Sequence, residues 1–482
     1  MTGTSKLDST GNRAVVGAKK VDAKTVGAKN IAAQNCKVAL LGFGTVGSSV
    51  ARILCERSNT HLRLTHVLNR NVARKKVDWL PSSVQWTENI DDVLSSDVDI
   101  VVEVMGGLQP TEDWIRRALQ SGKSVVTANK QLIAHCGLEL VSLARQMQQK
   151  IAFGASVAGG VPVISGLHEG LAGDELFKIR GILNGTCNYI LSQIESNGIP
   201  FATALREAQK LGFAEADPTE DIEGLDARAK LAILARVGLH CNVRPESIVA
   251  RSIAAIDSVD FEYANQLGCT IRQISWAELK TPELKTPELK APELKTPELK
   301  TLPLKAESNP TSKGDLLFAA VQPALVALSS PLARVEGSQN LVVATGTYGG
   351  ETVFGGHGAG GNPTAVAVVS DILAIARSKQ AGTSYAGQPA EKTPTVTADF
   401  TAKHYLRFLV KDRPGIIASL ATILSQCGIN IDSVLQKPDC PKSHLPFLIT
   451  LEECKASLVE QALQQINKLD FLVQPCLHLP IL

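Results

Sequence analysis

Gly42-Phe43-Gly44-Thr45-Val46-Gly47 decides how the chain begins to fold. An apolar run at residues 37–41 precedes it and a helical pattern at 48–56 follows, so the G-x-G-x-x-G stands between a strand and a helix. There the first glycine permits the turn, the second lets a pyrophosphate approach the backbone, and the third lets helix pack on strand. The helix amino terminus then favours the phosphates. Further apolar runs at 62–68, 100–104 and 124–126 alternate with helical stretches such as 114–120. This predicts an α/β, Rossmann-type, doubly wound parallel sheet that binds a dinucleotide, over residues 36–165.

The cofactor preference is read about 20 residues beyond the motif, where an acidic side chain would hold a ribose 2′-hydroxyl. Here the second strand ends in Asn69-Arg70, followed by Arg74-Lys75-Lys76. Without a carboxylate to repel a 2′-phosphate, and with Arg70 to grip it, NADP is favoured, while NAD stays possible.

Across 482 residues, 49 basic and 47 acidic side chains nearly cancel, so no global field attracts nucleic acid or an anionic membrane. No apolar stretch reaches the roughly 18 residues of a membrane span or resembles a secretory leader. The ten cysteines form no C-x-x-C pair and read as thiols of a reducing cytoplasm.

Residues 1–35, repetitive in five-residue units from 16 to 35, read as a disordered tail. From 166 to 340 long amphipathic helices mix with alternating strands, interrupted by a low-complexity insert at 279–312 built on T-P-E-L-K. Proline every fifth residue excludes helix and sheet ladder, so the insert should be solvated and should replace a hairpin turn. Residues 378–402 read as a linker, and 403–482 as a small α+β module with strands at 405–410, 429–435 and 447–451 and helices at 415–426 and 457–469.

Three loops carry polar groups to strand ends or helix starts, where open α/β sheets place ligands: Val104-Met105-Gly106-Gly107, Thr127-Ala128-Asn129-Lys130, and residues 181–189, GILNGTCNY. The densest cluster, residues 208–230, holds six carboxylates, at Glu215, Asp217, Glu220, Asp221, Glu223 and Asp226, with Lys230 on the following helix. Asp226 and Lys230 stand at i and i+4 and can pair on one helix face. An acidic loop capping a helix is the alternative reading of the cluster.

The ordered motifs GFGTVG, EVMGG, TANK, VAGGVP, GILNGTCNYIL, EADPTEDIEGLDARAK and GAGGNPTA strongly resemble homoserine dehydrogenase over residues 36–377. Residues 403–469, with Lys411-Asp412-Arg413-Pro414-Gly415, resemble the ACT domain that many bacterial members append for amino-acid feedback. The resemblance implies NAD(P)-dependent interconversion of L-homoserine and L-aspartate 4-semialdehyde in threonine, methionine and isoleucine biosynthesis. It also implies a homo-oligomer, an amino-acid effector, for which threonine is the expectation, and a return of residues 341–377 to the cofactor domain through Gly358. With no kinase-sized segment before Cys36, the monofunctional form is expected.

By the same resemblance, Asp226 and Lys230 transfer a proton and orient the substrate, and Lys130 lies near the nicotinamide. Glu215 holds the substrate amino group, and Gly185 and Thr186 touch the substrate. A lysine ammonium beside an aldehyde suits a general acid, and Lys230 is the candidate. The family also binds a monovalent cation, Na or K, through three backbone carbonyls, here those of Val157, Gly159 and Val161, and a glutamate. Gly154 stands where that glutamate would be, which predicts a cation held without a protein carboxylate. Two rival readings are an acylating semialdehyde dehydrogenase using Cys187 and a non-catalytic amino-acid sensor.

Overall fold

In the computed structural model the described residues are 36–57, 61–280, 316–381, 392–437 and 440–482. Six strands, β1 (Cys36–Leu41), β2 (Leu62–Leu68), β3 (Gln85–Thr87), β4 (Ile100–Glu103), β5 (Ser124–Thr127) and β6 (Ile151–Ala152), form one parallel sheet in the order β3-β2-β1-β4-β5-β6. The central strands are buried on both faces, so they read as continuous apolar runs without alternation. Helices Thr111–Gln120 and Lys130–Gln146 cover one face through Ile115, Leu119, Leu132 and Leu140. Helix Thr45–Glu56 covers the other, joined by the late helix Gly361–Ala381, whose Ala365, Val368 and Ile372 share a core with Val50 and Leu54. This is the predicted doubly wound sheet.

The second sheet contains β7 (Leu176–Ile182), β8 (Val249–Ala250), β9 (Cys269–Lys280), β10 (Leu316–Ala327), β11 (Gln339–Gly346), β12 (Gly350–His357), β13 (Thr395–Thr397), β14 (Thr401–Val410), β15 (Ile431–Gln436), β16 (Leu445–Lys455) and β17 (Leu477–Ile481). Its path runs β12-β11-β7-β9-β10-β17-β14-β16-β15. Helix Leu225–Leu239 packs on β7, β9 and β10 and is apolar almost all round, as a core helix must be. Leu231, Ile233 and Leu234 are fully buried there, each worth roughly 1.5–3 kcal/mol relative to exposure. That helix presents Asp226 and Lys230 at its amino end.

Several sequence expectations shift. Strands β9 and β10 pair antiparallel in continuous register from Lys280↔Leu316, so Leu279 and Lys280 belong to the strand rather than to the insert. The remainder of the insert, like the tail at 1–35, lies outside the described residues. The linker expected at 378–402 is shorter than the sequence suggests. The late helix runs to Ala381, and Thr395–Thr397 forms β13 on β10 because its short β-branched run finds an edge to extend.

The carboxy-terminal module does not stand apart. Strand β17, unforeseen in the sequence, joins β10 in parallel and β14 antiparallel, so one sheet continues through both regions. A buried polar cluster reinforces this junction. Asp260, on helix Ser258–Gln266, accepts from Tyr405 Oη at 2.8 Å and lies 2.6 Å from Arg407 Nε, while Arg407 Nη2 donates to the Ala255 carbonyl at 3.0 Å. Among the described residues no helix is long and apolar enough to cross a membrane.

Candidate active site

The glycine turn after β1 has the shape its sequence requires. Gly42 has φ +99°, and a Cβ there would meet Met105 at 2.9 Å; a Cβ on Gly47 would stand 2.1 Å from the Gly42 carbonyl. Around Gly44 the space is open, as close approach of a ligand would need. Phe43 packs against Trp79 and Trp86, and its N–H points to Asn69 Oδ1 at 3.4 Å. Thr45 and Val46 begin the helix, and Arg70 is exposed at the end of β2. Gly358 abuts Gly159 through its carbonyl, and a Cβ on Gly358 would overlap the Asn340 side chain.

Glu103 ends β4 fully buried. Its Oε1 accepts from the N–H groups of Met105, at 2.7 Å, and Gly106, at 2.9 Å, while Oε2 accepts from Thr127 Oγ1. Burial pushes this carboxyl upward against the pull of those donors. Thr127 Oγ1 in turn accepts from Asn129 N–H, and Asn129 caps the helix whose first residue is Lys130 while donating to the Gly107 carbonyl. One buried carboxylate therefore joins the loops bearing Gly106 and Lys130.

Lys130 Nζ lies 2.6 Å from Asp226 Oδ1, and Lys230 Nζ lies 2.7 Å from Asp226 Oδ2. Lys230 also donates to the Leu183 carbonyl at 2.8 Å, which leaves one of its three N–H groups without a partner among the described residues. Burial alone would raise the Asp226 carboxyl, but the two ammonium groups outweigh it and hold the group below its ordinary value. For Lys130 burial lowers the pKa, yet Asp226 prevails and the net shift is upward. The pair expected at i and i+4 is thus one half of a three-residue cluster, and its other half comes from the cofactor domain.

Thr186 is buried beside it on helix Gly185–Asn197 and donates to the Phe213 carbonyl at 2.7 Å. Gly185 is required for close packing, because a Cβ would approach the Ser338 carbonyl to 2.6 Å. Glu215 is not drawn into the cluster. Its side chain is exposed and makes no hydrogen bond or ion pair among the described residues, since the backbone of this segment, rather than its side chains, is tied to Gln209.

Family models agree with this arrangement part by part: homoserine dehydrogenase matches residues 162–373, the homoserine dehydrogenase NAD-binding domain 42–154, and the ACT domain 404–471. The homoserine dehydrogenase of Bacillus subtilis is 35% identical over 445 residues, spanning 90% of this chain and 95% of its own. That of Mycobacterium bovis is 38% identical over 415 residues, spanning 83% and 86%. The chain belongs to the homoserine dehydrogenase family. A solved homoserine dehydrogenase from Thiobacillus denitrificans has a TM-score of 0.79 at 31% identity, covering 93% of this chain and 98% of that one. A hyperthermophilic archaeal homoserine dehydrogenase in complex with NADPH has 0.55 at 25%, covering 70% and 97%.

Within a homoserine dehydrogenase, Cys187 has no nucleophilic part to play. It is fully buried, its thiol donates to the Asp221 carbonyl at 3.1 Å, and burial, with Asp221 nearby, holds it well above its ordinary pKa. This overturns the acylating alternative. The corner at Gly154 also differs from expectation, because it has a carboxylate. Asp371, from the late helix, accepts from Gly154 N–H at 2.7 Å, and a Cβ on Gly154 would stand 2.9 Å from its Oδ1. Burial pushes Asp371 up to about 7. The carbonyls of Val157 and Gly159 are buried and accept no hydrogen bond among the described residues, whereas that of Val161 accepts from Val163 N–H at 2.8 Å. Backbone carbonyls and a half-buried carboxylate are ligands suited to a hard monovalent cation.

Sequence reading passed over Glu103, Asn184 and Asp371 as site residues. Glu103 and Asp371 had a legible signal, a lone acid inside an apolar run, which a buried charge requires to be partnered. The Thr127 hydroxyl that Glu103 meets and the Gly154 N–H that Asp371 meets, from separate segments of the chain, had none.

Proposed function

We propose that Lys230 is the proton donor to the developing alkoxide when L-aspartate 4-semialdehyde is reduced, and the acceptor in the reverse direction. A bound nicotinamide dinucleotide supplies or accepts the hydride. The observation that carries this reading is the sharing of Asp226 by Lys130 and Lys230, one ammonium on each carboxylate oxygen. Asp226 aims both ammonium groups, and the remaining N–H of Lys230 is available to a carbonyl oxygen. Homoserine oxidation runs the same transfer in reverse, with the Lys230 amine accepting the hydroxyl proton. Glu215, exposed on the loop after helix Phe201–Lys210, is proposed to fix the substrate amino group once substrate brings a cation to it. Gly185 and Thr186 are proposed to border the substrate.

NADP is the proposed cofactor, on the strength of Arg70 and of the absence of an acidic residue at the end of β2. An NADPH complex in an archaeal relative agrees with this choice. Replacing Arg70 with Ala should raise KM for NADPH several-fold more than for NADH; equal changes would remove the argument. Asp371, with the carbonyls of Val157, Gly159 and Val161, is proposed to hold Na or K.

The ACT region is proposed to bind an amino acid, threonine by family resemblance, and to feed back on the enzyme of threonine, methionine and isoleucine biosynthesis. Its sheet and its Arg407–Asp260 contact meet the same core that carries helix Gly185–Asn197. Homo-oligomer formation is carried over from the family and can be read by light scattering. A reducing cytoplasm is the proposed location, in keeping with ten cysteines that form no C-x-x-C pair. The decisive assay follows NADPH and NADH oxidation with aspartate semialdehyde, with and without threonine. Turnover that threonine leaves untouched would refute the proposed effector.

A further inference from the structure

Asn184 lies between the carboxylates of Asp221 and Asp226 and is almost fully buried. Its Nδ2 donates to Asp221 Oδ1 at 2.7 Å and to Asp226 Oδ2 at 2.9 Å, using both amide hydrogens. Its Oδ1 accepts from Cys187 N–H at 2.8 Å and so caps helix Gly185–Asn197. The orientation of the amide is fixed by these partners. Turned over, its oxygen would face two carboxylate oxygens and its NH2 would face a backbone donor.

We infer that Asn184 is a positioning residue for proton transfer, a neutral bridge that fixes Asp226 against Asp221 and thereby aims the Lys230 ammonium. Asp226 Oδ2 receives Asn184 and Lys230 together, so the amide sets the direction from which the ammonium is approached. The residue before it supplies the Leu183 carbonyl to the same ammonium. Residues 183 and 184 thus fix both partners of the ion pair, and they do so from the start of the helix that presents Gly185 and Thr186. Without the bridge, two acidic side chains would face each other with no donor between them, and Asp226 could swing away from Lys230.

The inference rests on the reading of Lys230 as proton carrier, and the substitutions are chosen to separate the two. Serine is a good helix cap but too short to reach both carboxylates, whereas alanine removes cap and bridge together. Asn184→Ser should lower kcat by about tenfold to 100-fold, the usual cost of a misplaced reacting group, with KM for NADPH and Tm nearly unchanged. Asn184→Ala should show a similar kcat loss and, in addition, a Tm lower by a few degrees. A purely structural Asn184 would reverse this, leaving the serine variant native in kcat and confining the loss to alanine in step with Tm. On a Lys230→Ala background, Asn184→Ser should add no further loss of kcat. Independent, multiplying losses would overturn the inference while leaving Lys230 in place. Near-native turnover in Lys230→Ala alone would overturn the reading of Lys230, and the inference with it.

Discussion

Asp226 and Asp371 are both largely buried aspartates on helices, yet their surroundings drive them in opposite directions. Asp226 sits between two ammonium groups and an amide donor and stays ionised well below the ordinary range. Asp371 has one backbone N–H as its donor among the described residues, and burial carries it up to about 7. Burial is common to both; the number of donors and countercharges decides the outcome. One carboxylate is therefore supplied with its cations by the chain itself. The other is a candidate to take its cation from solution.

The largest expected effect lies on the Asp226 side. Lys230→Ala should lower kcat by about 100- to 10,000-fold with little change in cofactor affinity, as loss of a general acid does, and steady-state kinetics in both directions would measure it. If turnover stayed near native, the cluster would be a structural ion pair like Arg407–Asp260. Asp226→Asn should give a smaller, parallel kcat loss and should also destabilise the fold, by roughly 3 kcal/mol, because two ammonium groups lose their counter-ion.

Stability against pH should then separate the two aspartates by sign. The folded pKa of Asp226 lies below the unfolded value of about 4, so its contribution is full above that pH and is lost as pH falls through the folded value. Asp371 has the reverse order. The folded protein binds the extra proton from about pH 4 to about 7, and stability falls as pH rises through that window. Urea midpoints across pH should therefore show Asp371→Asn raising stability near pH 8 where Asp226→Asn lowers it. If Na or K occupies the Asp371 corner, either ion should raise Tm at pH 8 relative to choline in the wild type and not in Asp371→Asn. Equal response of both proteins would break the comparison.

Gly154→Glu gives the smallest effect and tests the same corner. Its new Cβ would come 2.9 Å from Asp371 Oδ1, and its carboxylate would bring a second negative charge beside the first. Destabilisation of about 1–3 kcal/mol is expected, rather than a better cation site. Stronger cation binding with unchanged Tm would show that Asp371 can step aside.

Much of the molecule follows from short-range information. The glycine turn, the apolar parallel strands and the i and i+4 placement of Asp226 and Lys230 depend on residues a few positions apart, whose φ, side-chain volume and period set local structure directly. The order of motifs was enough to mark the family. The sequence could not show that Lys130 would complete the Asp226 cluster, that β17 would join the ACT module to the sheet beside the active-site helix, or that Asp371 would stand at Gly154. Each of these brings together residues from roughly 100 to more than 200 positions apart, and in each a polar group is satisfied only because apolar packing elsewhere fixes the two backbones. Local pattern selected the elements. Which buried charge meets which donor was decided by how those elements pack, because burial makes an unpartnered charge costly and only the folded core determines what is buried.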